Sequence, residues 1–373
     1  MIKKFSVKNF KGFKDELVFD LSNKRDYHFN EDQIKSPGIV NKGIIYGKNG
    51  SGKTNLGLAL YDITSHLTDK PVISPMFTYH YINYEGSENN ITFNYTFQFG
   101  TNEVLYHYKK DFMRGLLFEQ IEMNNEIILS CDYRQKGQIQ KNDNILGTKH
   151  LNFEIKDNRI SILKYIYSNT LTNEKSPITK IMKFVQGMLW FRCLSEGNTY
   201  IGLKSNEENM HAVIIKNDKL KDFQDFLSKN GLNYNLVIKE INGIKTIFAQ
   251  YKKTSAEFST IISSGTKSLW LYYCWSLSFE NVTFLYLDEF DAYYHYETAE
   301  YIFKALNSQK HFQSFVTTHN IYLMQNALTR PDCCFIISDN KTIKPLSDST
   351  DKEIREAHNL EKMYKNGAFT DEE

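Results

Sequence analysis

The chain is 373 residues long, enough for one large domain or two to three modest ones. Its 45 Lys and Arg against 44 Asp and Glu leave the net charge near zero, so composition advertises no dominant polyanion-binding face, although a local basic patch stays open. Five cysteines, Cys131, Cys193, Cys274, Cys333 and Cys334, form no C-x-x-C pair, which argues against a zinc cluster and a disulfide framework.

The opening MIKKFSVKNF has lysines but no apolar signal-peptide core and no small-residue cleavage site. The most apolar stretch, LWLYYCWSLSF at 269–279, is shorter than the about 20 residues that cross a bilayer. We expect a cytoplasmic protein with reduced thiols and no membrane partner.

IKKFSVKN and ELVFDL read as strands around the turn FKGFKD, and GIIYGKNGSGKTNLGLALYDITSHL passes from a short strand through a glycine-rich loop into a helix. From about residue 90 the period becomes two, in ITFNYTFQF and VLYHYKK, as in half-exposed antiparallel strands. LLFEQIEM and EIILSCD flank Asn124-Asn125, a hairpin signal, and GQIQKNDNILGTKH reads as a loop. Residues 160–195, ending in ITKIMKFVQGMLWFRC, read as mostly helical, and DKLKDFQDFLSKNGL as an amphipathic helix stopped by Gly231. NLVIKEI and IKTIFAQYKK flank Asn242-Gly243, the strongest short hairpin signal in the chain. SSGTKSLWLYYCWSL predicts a helix, FLYLDE a buried strand, 297–307 a helix and QSFVTTHN a strand ending in polar residues. There is no internal repeat and no sustained heptad pattern.

Gly47, Lys48, Asn49, Gly50, Ser51, Gly52, Lys53 and Thr54 match G-x-x-x-x-G-K-[ST] between a strand and a helix. In such a loop backbone N–H groups turn onto phosphate oxygens and the helix N-terminus adds a favourable dipole. The pattern predicts ATP and Mg²⁺ as cofactors, with Lys53 on the β- and γ-phosphates and the Thr54 hydroxyl on the metal. FLYLDEFDAYYH then explains itself: an apolar strand runs into Asp288 and Glu289, with Asp291 close behind. Asp288 is placed to hold Mg²⁺ through water and Glu289 to polarise the attacking water. The metal and Lys53 are expected to offset the repulsion between these acids.

Ile262-Ser263-Ser264-Gly265-Thr266 precedes a helix, and Thr317-Thr318-His319 ends the next apolar strand. In this order the motifs resemble the ABC/SMC/RecF class of ATPases over most of the chain. ISSGT stands where that class has its LSGGQ-type signature, with Ser264 for the first glycine and Thr266 for the glutamine. The resemblance implies that Ser263 and Gly265 contact the γ-phosphate on an opposite subunit, that Asp291 belongs to the D-loop, and that His319 senses the γ-phosphate in cis. Gln98 and Gln186 are loose candidates for the Q-loop glutamine. Lys11 and Phe13, in NFKGF, either approach the nucleotide or form a plain turn.

Within the class the chain is similar to compact bacterial AAA/ABC-type ATPases of phage-resistance gene pairs, to which RPDCCFIISDN and HNLEKMYKNGAF also correspond. The expected fold is α/β, a P-loop NTPase with a mixed central sheet, an antiparallel β-subdomain and a helical insertion. Residues 1–70 carry the N-terminal half of the ATPase core, 71–150 the β-subdomain, 151–260 the insertion, and 261–373 the signature, strand acids and switch histidine. The resemblance implies an ATP hydrolase that forms a homodimer or higher homo-oligomer on ATP and controls a separately encoded effector in antiviral defence. A RecF-like DNA-repair ATPase is the alternative, although charge does not indicate nucleic acid. The divergent signature and the long stretch from 71 to 260 argue against a transporter subunit, and the short stretch after His319 against a self-contained nuclease.

Overall fold

The apolar run at 284–288 is an interior strand of a seven-stranded sheet in the computed structural model, which describes residues 1–22, 25–70, 75–135, 138–153, 157–170, 173–192, 199–203 and 209–369. The strand order is Tyr200–Gly202, Met188–Arg192, Phe284–Asp288, Gln313–Thr317, Lys42–Tyr46, Cys334–Ile337 and Ile343–Pro345. The five inner strands are mutually parallel, and the two edge strands are antiparallel to their neighbours. Every residue of Lys42–Tyr46, Phe284–Asp288 and Gln313–Thr317 is buried, because both faces are covered. Alternation assigns the faces: Phe284 and Tyr286 join one core, while Leu285 and Leu287 join the other.

The first of those cores lies under a second seven-stranded sheet, antiparallel throughout. Its order is Gln138–Lys141, Glu126–Asp132, Leu116–Met123, Asn102–Asp111, Asn90–Phe99, Ile2–Lys8 and Leu17–Asp20. The helix Lys53–Leu60 joins the two layers: Leu56, Ala59 and Leu60 share a core with Phe5 and Tyr95 of one sheet and Trp190 and Tyr286 of the other. The approach is close. A Cβ on Gly57 would stand 2.6 Å from the Tyr286 ring and 2.7 Å from the Trp190 indole nitrogen. On the other face, helices Ser264–Ser276 and Tyr296–Asn307 cover the parallel sheet through Leu271, Trp275, Ile302 and Phe303. A three-stranded sheet, Leu236–Ile241, Ile244–Gln250 and Ser255–Glu257, packs with helices Met210–Lys216 and Leu220–Lys229 around Phe223, Phe258 and Trp270.

The two hairpin signals hold: Asn124 and Asn125 have φ of 51° and 69°, Asn242 and Gly243 of 52° and 79°, the left-handed pair that matches strand twist. Two expectations are corrected. MLWFR is a strand, not the end of a helix: the helix Pro177–Gln186 stops at Gly187, and the five residues beyond enter the parallel sheet beside Phe284–Asp288. A short run of large apolar side chains has no helical stripe of its own, and only burial on both faces decides its state. GQIQKNDNILGTKH is not wholly loop, since 138–141 adds an edge strand and Asn142 caps a one-turn helix at 143–146. Cys131, Cys274, Cys333 and Cys334 are buried free thiols, and Cys193 lies outside the described residues.

Candidate functional site

Gly47–Thr54 connects the end of the Lys42–Tyr46 strand to the start of the Lys53–Leu60 helix. Glycine is required at two points of the turn, where Gly50 and Gly52 have φ of 75° and 119°. At Gly52 a Cβ would also meet the buried Phe13 ring at 2.8 Å, so the NFKGF turn braces the loop. Lys11, in the same turn, directs its ammonium to the carbonyls of Met76 (2.8 Å) and Tyr79 (2.6 Å). From the opposite side Lys48 pairs with Asp339 at 2.7 Å, and Lys341 donates to the Gly50 carbonyl at 2.8 Å. Asn49 is exposed, and the buried Ser51 hydroxyl has no protein hydrogen-bond partner.

The Lys53 ammonium donates to the carbonyls of Gly47 (2.7 Å) and Lys48 (3.1 Å) and lies 3.5 Å from His319 Nδ1. Burial lowers the pKa of Lys53, opposed by Asp288 and Glu289. His319 is also lowered, first by burial and then by Lys53, with Glu289 acting in the other direction. The imidazole is thereby biased towards its neutral form.

Asp288 ends its strand fully buried and is held by three groups. Thr54 donates to Oδ2 at 2.8 Å, Thr317 donates to Oδ1 at 2.8 Å, and Arg192 Nε stands 3.3 Å from Oδ2. Burial raises the pKa of its carboxyl, and the Arg192 charge and the two hydroxyls pull it back. Glu289 follows in the left-handed region at φ 47°, uncommon for a residue with a Cβ. Its N–H donates to the Thr317 hydroxyl at 2.7 Å, and its Oε2 pairs with Arg192 Nη2 at 2.8 Å. Backbone strain of this kind persists where the surroundings over-determine it.

The loop, strand acids and switch strand therefore converge, bringing Lys53, Thr54, Asp288, Glu289 and His319 together at the C-terminal ends of parallel strands. Asp291 accepts from the Thr318 hydroxyl at 2.7 Å, tying the turn after the strand acids to the residue before His319; burial raises its pKa. Ser263 and Gly265 have a different set of contacts. Ser263 caps the Ser264–Ser276 helix by accepting from the Thr266 N–H at 3.2 Å, and a Cβ on Gly265 would lie 2.8 Å from the Tyr293 carbonyl. Gln98 donates to the Gly100 carbonyl in the antiparallel layer, and Gln186 sits before the Met188–Arg192 strand, at the end opposite the site.

Two residues of this constellation carry no signal as motifs. Arg192 is concealed by the helical reading of MLWFR; aligning that run as a strand with FLYLD puts Arg192 level with Asp288. The ion pairs to the two acids come from Arg192, whereas the Lys53 ammonium is turned into its own loop. Thr317 looks like one of two threonines before a histidine, and only the parallel register shows it bridging Asp288 and Glu289. Thr54 and Asp288 are the residues that could hold a divalent cation. No cluster of three or more His, Cys, Asp or Glu side chains suited to a metal occurs among the described residues. The donor set of one carboxylate and one hydroxyl suits a cation that completes its shell with phosphate oxygens and waters.

Set between a buried parallel strand and a helix, this glycine-rich loop is that of a P-loop ATPase. Residues 44–325 match the family described as "AAA domain, putative AbiEii toxin, Type IV TA system", and the chain belongs to that family. Among solved structures it is similar to the SMC head domain from Thermotoga maritima, 16% identical with a TM-score of 0.45, covering 92% of this chain and 98% of that one. It is also similar to the recombination mediator protein RecF with ATP, 15% identical with a TM-score of 0.38, covering 91% of this chain and 97% of that one. No curated protein matches the sequence. Among the described residues no helix is long and apolar enough to cross a membrane.

Proposed function

We propose that the chain binds ATP with Mg²⁺ in the Gly47–Thr54 loop and hydrolyses it, as a nucleotide-driven dimerising switch for a separately encoded effector. The observation that carries the reading is the Thr54–Asp288–Thr317–Glu289 relay, in which one threonine of the loop and one from the end of a neighbouring strand fix two adjacent acids at the mouth of the phosphate loop. Bound Mg²⁺ would neutralise developing charge on the phosphates. Thr54 and Asp288 would hold it, Lys53 would turn from the loop carbonyls to the β- and γ-phosphates, and Glu289 would take the proton of the attacking water. His319, close to Lys53 and biased neutral, would donate a ring N–H to a γ-phosphate oxygen. Ser263 and Gly265, at the mouth of a helix, would meet a nucleotide bound to a second copy, with Asp291 steadying the turn between them and His319.

The family description names a toxin of a type IV toxin–antitoxin system. For this chain we read a defence role in which output belongs to a partner, held or released by differential binding to two nucleotide states. The aromatic-rich stretch between 71 and 260 would supply the recognition surface.

The test is to incubate the purified protein with Mg·ATP and plasmid, linear DNA or total RNA, with and without co-purified partner. Slow ATP turnover with no cleavage by the protein alone supports the switch. Cleavage by the protein alone, lost in a variant outside the phosphate loop and strand acids, sinks it. ATPase stimulation by double-stranded DNA, with binding that weakens steeply in salt, would instead favour the RecF-like alternative.

A further inference from the structure

Arg192 ends the Met188–Arg192 strand in parallel register with Asp288, so the two side chains emerge together at the mouth of the loop. Its side chain is only 14% exposed. The guanidinium touches both acids: Nη2 to Glu289 Oε2 at 2.8 Å, and Nε to Asp288 Oδ2 at 3.3 Å. Its third nitrogen faces the Met76 sulfur at 3.8 Å.

The contacts are unequal. Glu289 receives a short ion pair, whereas Nε is near Asp288 Oδ2 without making an aligned hydrogen bond to any acceptor. Arg192 therefore neutralises Asp288 mainly by charge. The same Oδ2 accepts the Thr54 hydroxyl, so the cation contacts the edge of the Thr54–Asp288 pair that a divalent metal would use. Two like charges on adjacent residues, one of them fully buried, need such a neighbour, and a nearby cation stabilises a carboxylate by an amount worth one to three pKa units. A divalent cation delivers the same service with twice the charge, and the two cations repel each other.

We propose that Arg192 is a displaceable counter-cation, which holds Asp288 and Glu289 until Mg·nucleotide binds and then releases them. The proposal rests on the nucleotide reading above and assigns Arg192 a positioning role within it. While Oε2 of Glu289 is engaged by Arg192 it faces the guanidinium and not a water. Release frees it at the moment the metal is seated, which couples the base to the presence of substrate. No bond is made or broken in this exchange; one ion contact replaces another.

The experiment measures binding of a fluorescent ADP analogue against Mg²⁺ concentration, and melting temperature with and without Mg·ADP, for wild type, Arg192→Gln and Arg192→Lys. With the competing charge removed, Arg192→Gln should reach half-saturation at Mg²⁺ concentrations lower by on the order of tenfold. It should also melt below wild type without metal and recover most of that difference with saturating Mg·ADP. Arg192→Lys keeps a charge but loses the fork, and should fall between the two; it carries the test if Arg192→Gln does not fold. A Mg²⁺ requirement unchanged or raised in the variant, with a lower melting temperature in every condition, makes Arg192 a purely structural support and overturns the proposal. Wild type lacking any Mg²⁺-dependent nucleotide binding defeats the nucleotide reading itself, and this proposal with it.

Discussion

Thr54 and Asp288 are 234 positions apart in the chain and meet at 2.8 Å, hydroxyl to carboxylate. One opens the helix after the phosphate loop, and the other closes a buried strand two places away in the sheet. Their contact is made by topology, because parallel strands deliver all their C-terminal ends to one edge.

Glu289→Gln should bind ATP with wild-type affinity and hydrolyse it about 10²–10⁴-fold more slowly, since the amide keeps the shape and loses the base. Steady-state phosphate release reads this directly. Turnover within about twofold of wild type would mean that another group positions the water. The same variant with ATP should double in mass in solution if Ser263 and Gly265 act across a dimer; an unchanged mass counts against that role.

His319→Ala should lower hydrolysis and ATP affinity while leaving ADP affinity intact, because the proposed contact is to the γ-phosphate alone. The imidazole lies 3.5 Å from Lys53, beside the phosphate loop. Equal loss of ADP and ATP binding, measured by titration calorimetry, would show instead that the ring merely supports the loop.

The glycine-rich turn and the two buried strands that end in Asp288 and Thr317 were legible because each rests on local pattern: glycines where φ is positive, and apolar runs ending in polar residues. Gly50, Gly52, Asp288 and Thr317 all stand where such patterns place them. Arg192 was not legible, because MLWFR has the same composition whether it closes a helix or enters a sheet, and neighbours distant in sequence decide. The pairing of Ile2–Lys8 with Asn90–Phe99 is likewise a long-range choice that no local period encodes.

The helix that follows the phosphate loop is anchored by a buried ion pair. Asp62 and Lys110 meet at 2.7 Å with side chains 0% and 1% exposed, and Tyr108 donates to the same carboxylate oxygen at 2.9 Å. Lys110→Met should cost about 3–5 kcal/mol by urea denaturation, because it leaves Asp62 buried without its cation. The double variant Asp62→Asn, Lys110→Met should recover part of that loss, since the uncompensated charge is gone. A loss under about 1 kcal/mol for the single variant would show that water reaches the site.

Acid should destabilise the antiparallel layer. Burial depresses the pKa of His66, with Lys110 and Lys164 adding to it, and lowers His107 to about 4 through burial and Lys109. Both imidazoles stay neutral in the fold while the unfolded chain takes up protons below about 6.5. The unfolded state thus binds more protons, and stability present above that pH is lost as pH falls towards 4. Melting temperatures between pH 7.5 and 5 should fall less steeply in His107→Gln than in wild type, and an identical slope would remove His107 from the account.

The central claim, that the Gly47–Thr54 loop is a working phosphate cradle, is tested most directly by calorimetric titration of Mg·ATP into wild type and Lys53→Ala. The Lys53 ammonium sits at the centre of the loop, bonded to the carbonyls of Gly47 and Lys48. Wild type should bind Mg·ATP, and Lys53→Ala, still folded by its melting curve, should show no measurable binding. Wild-type affinity retained by Lys53→Ala would contradict the account.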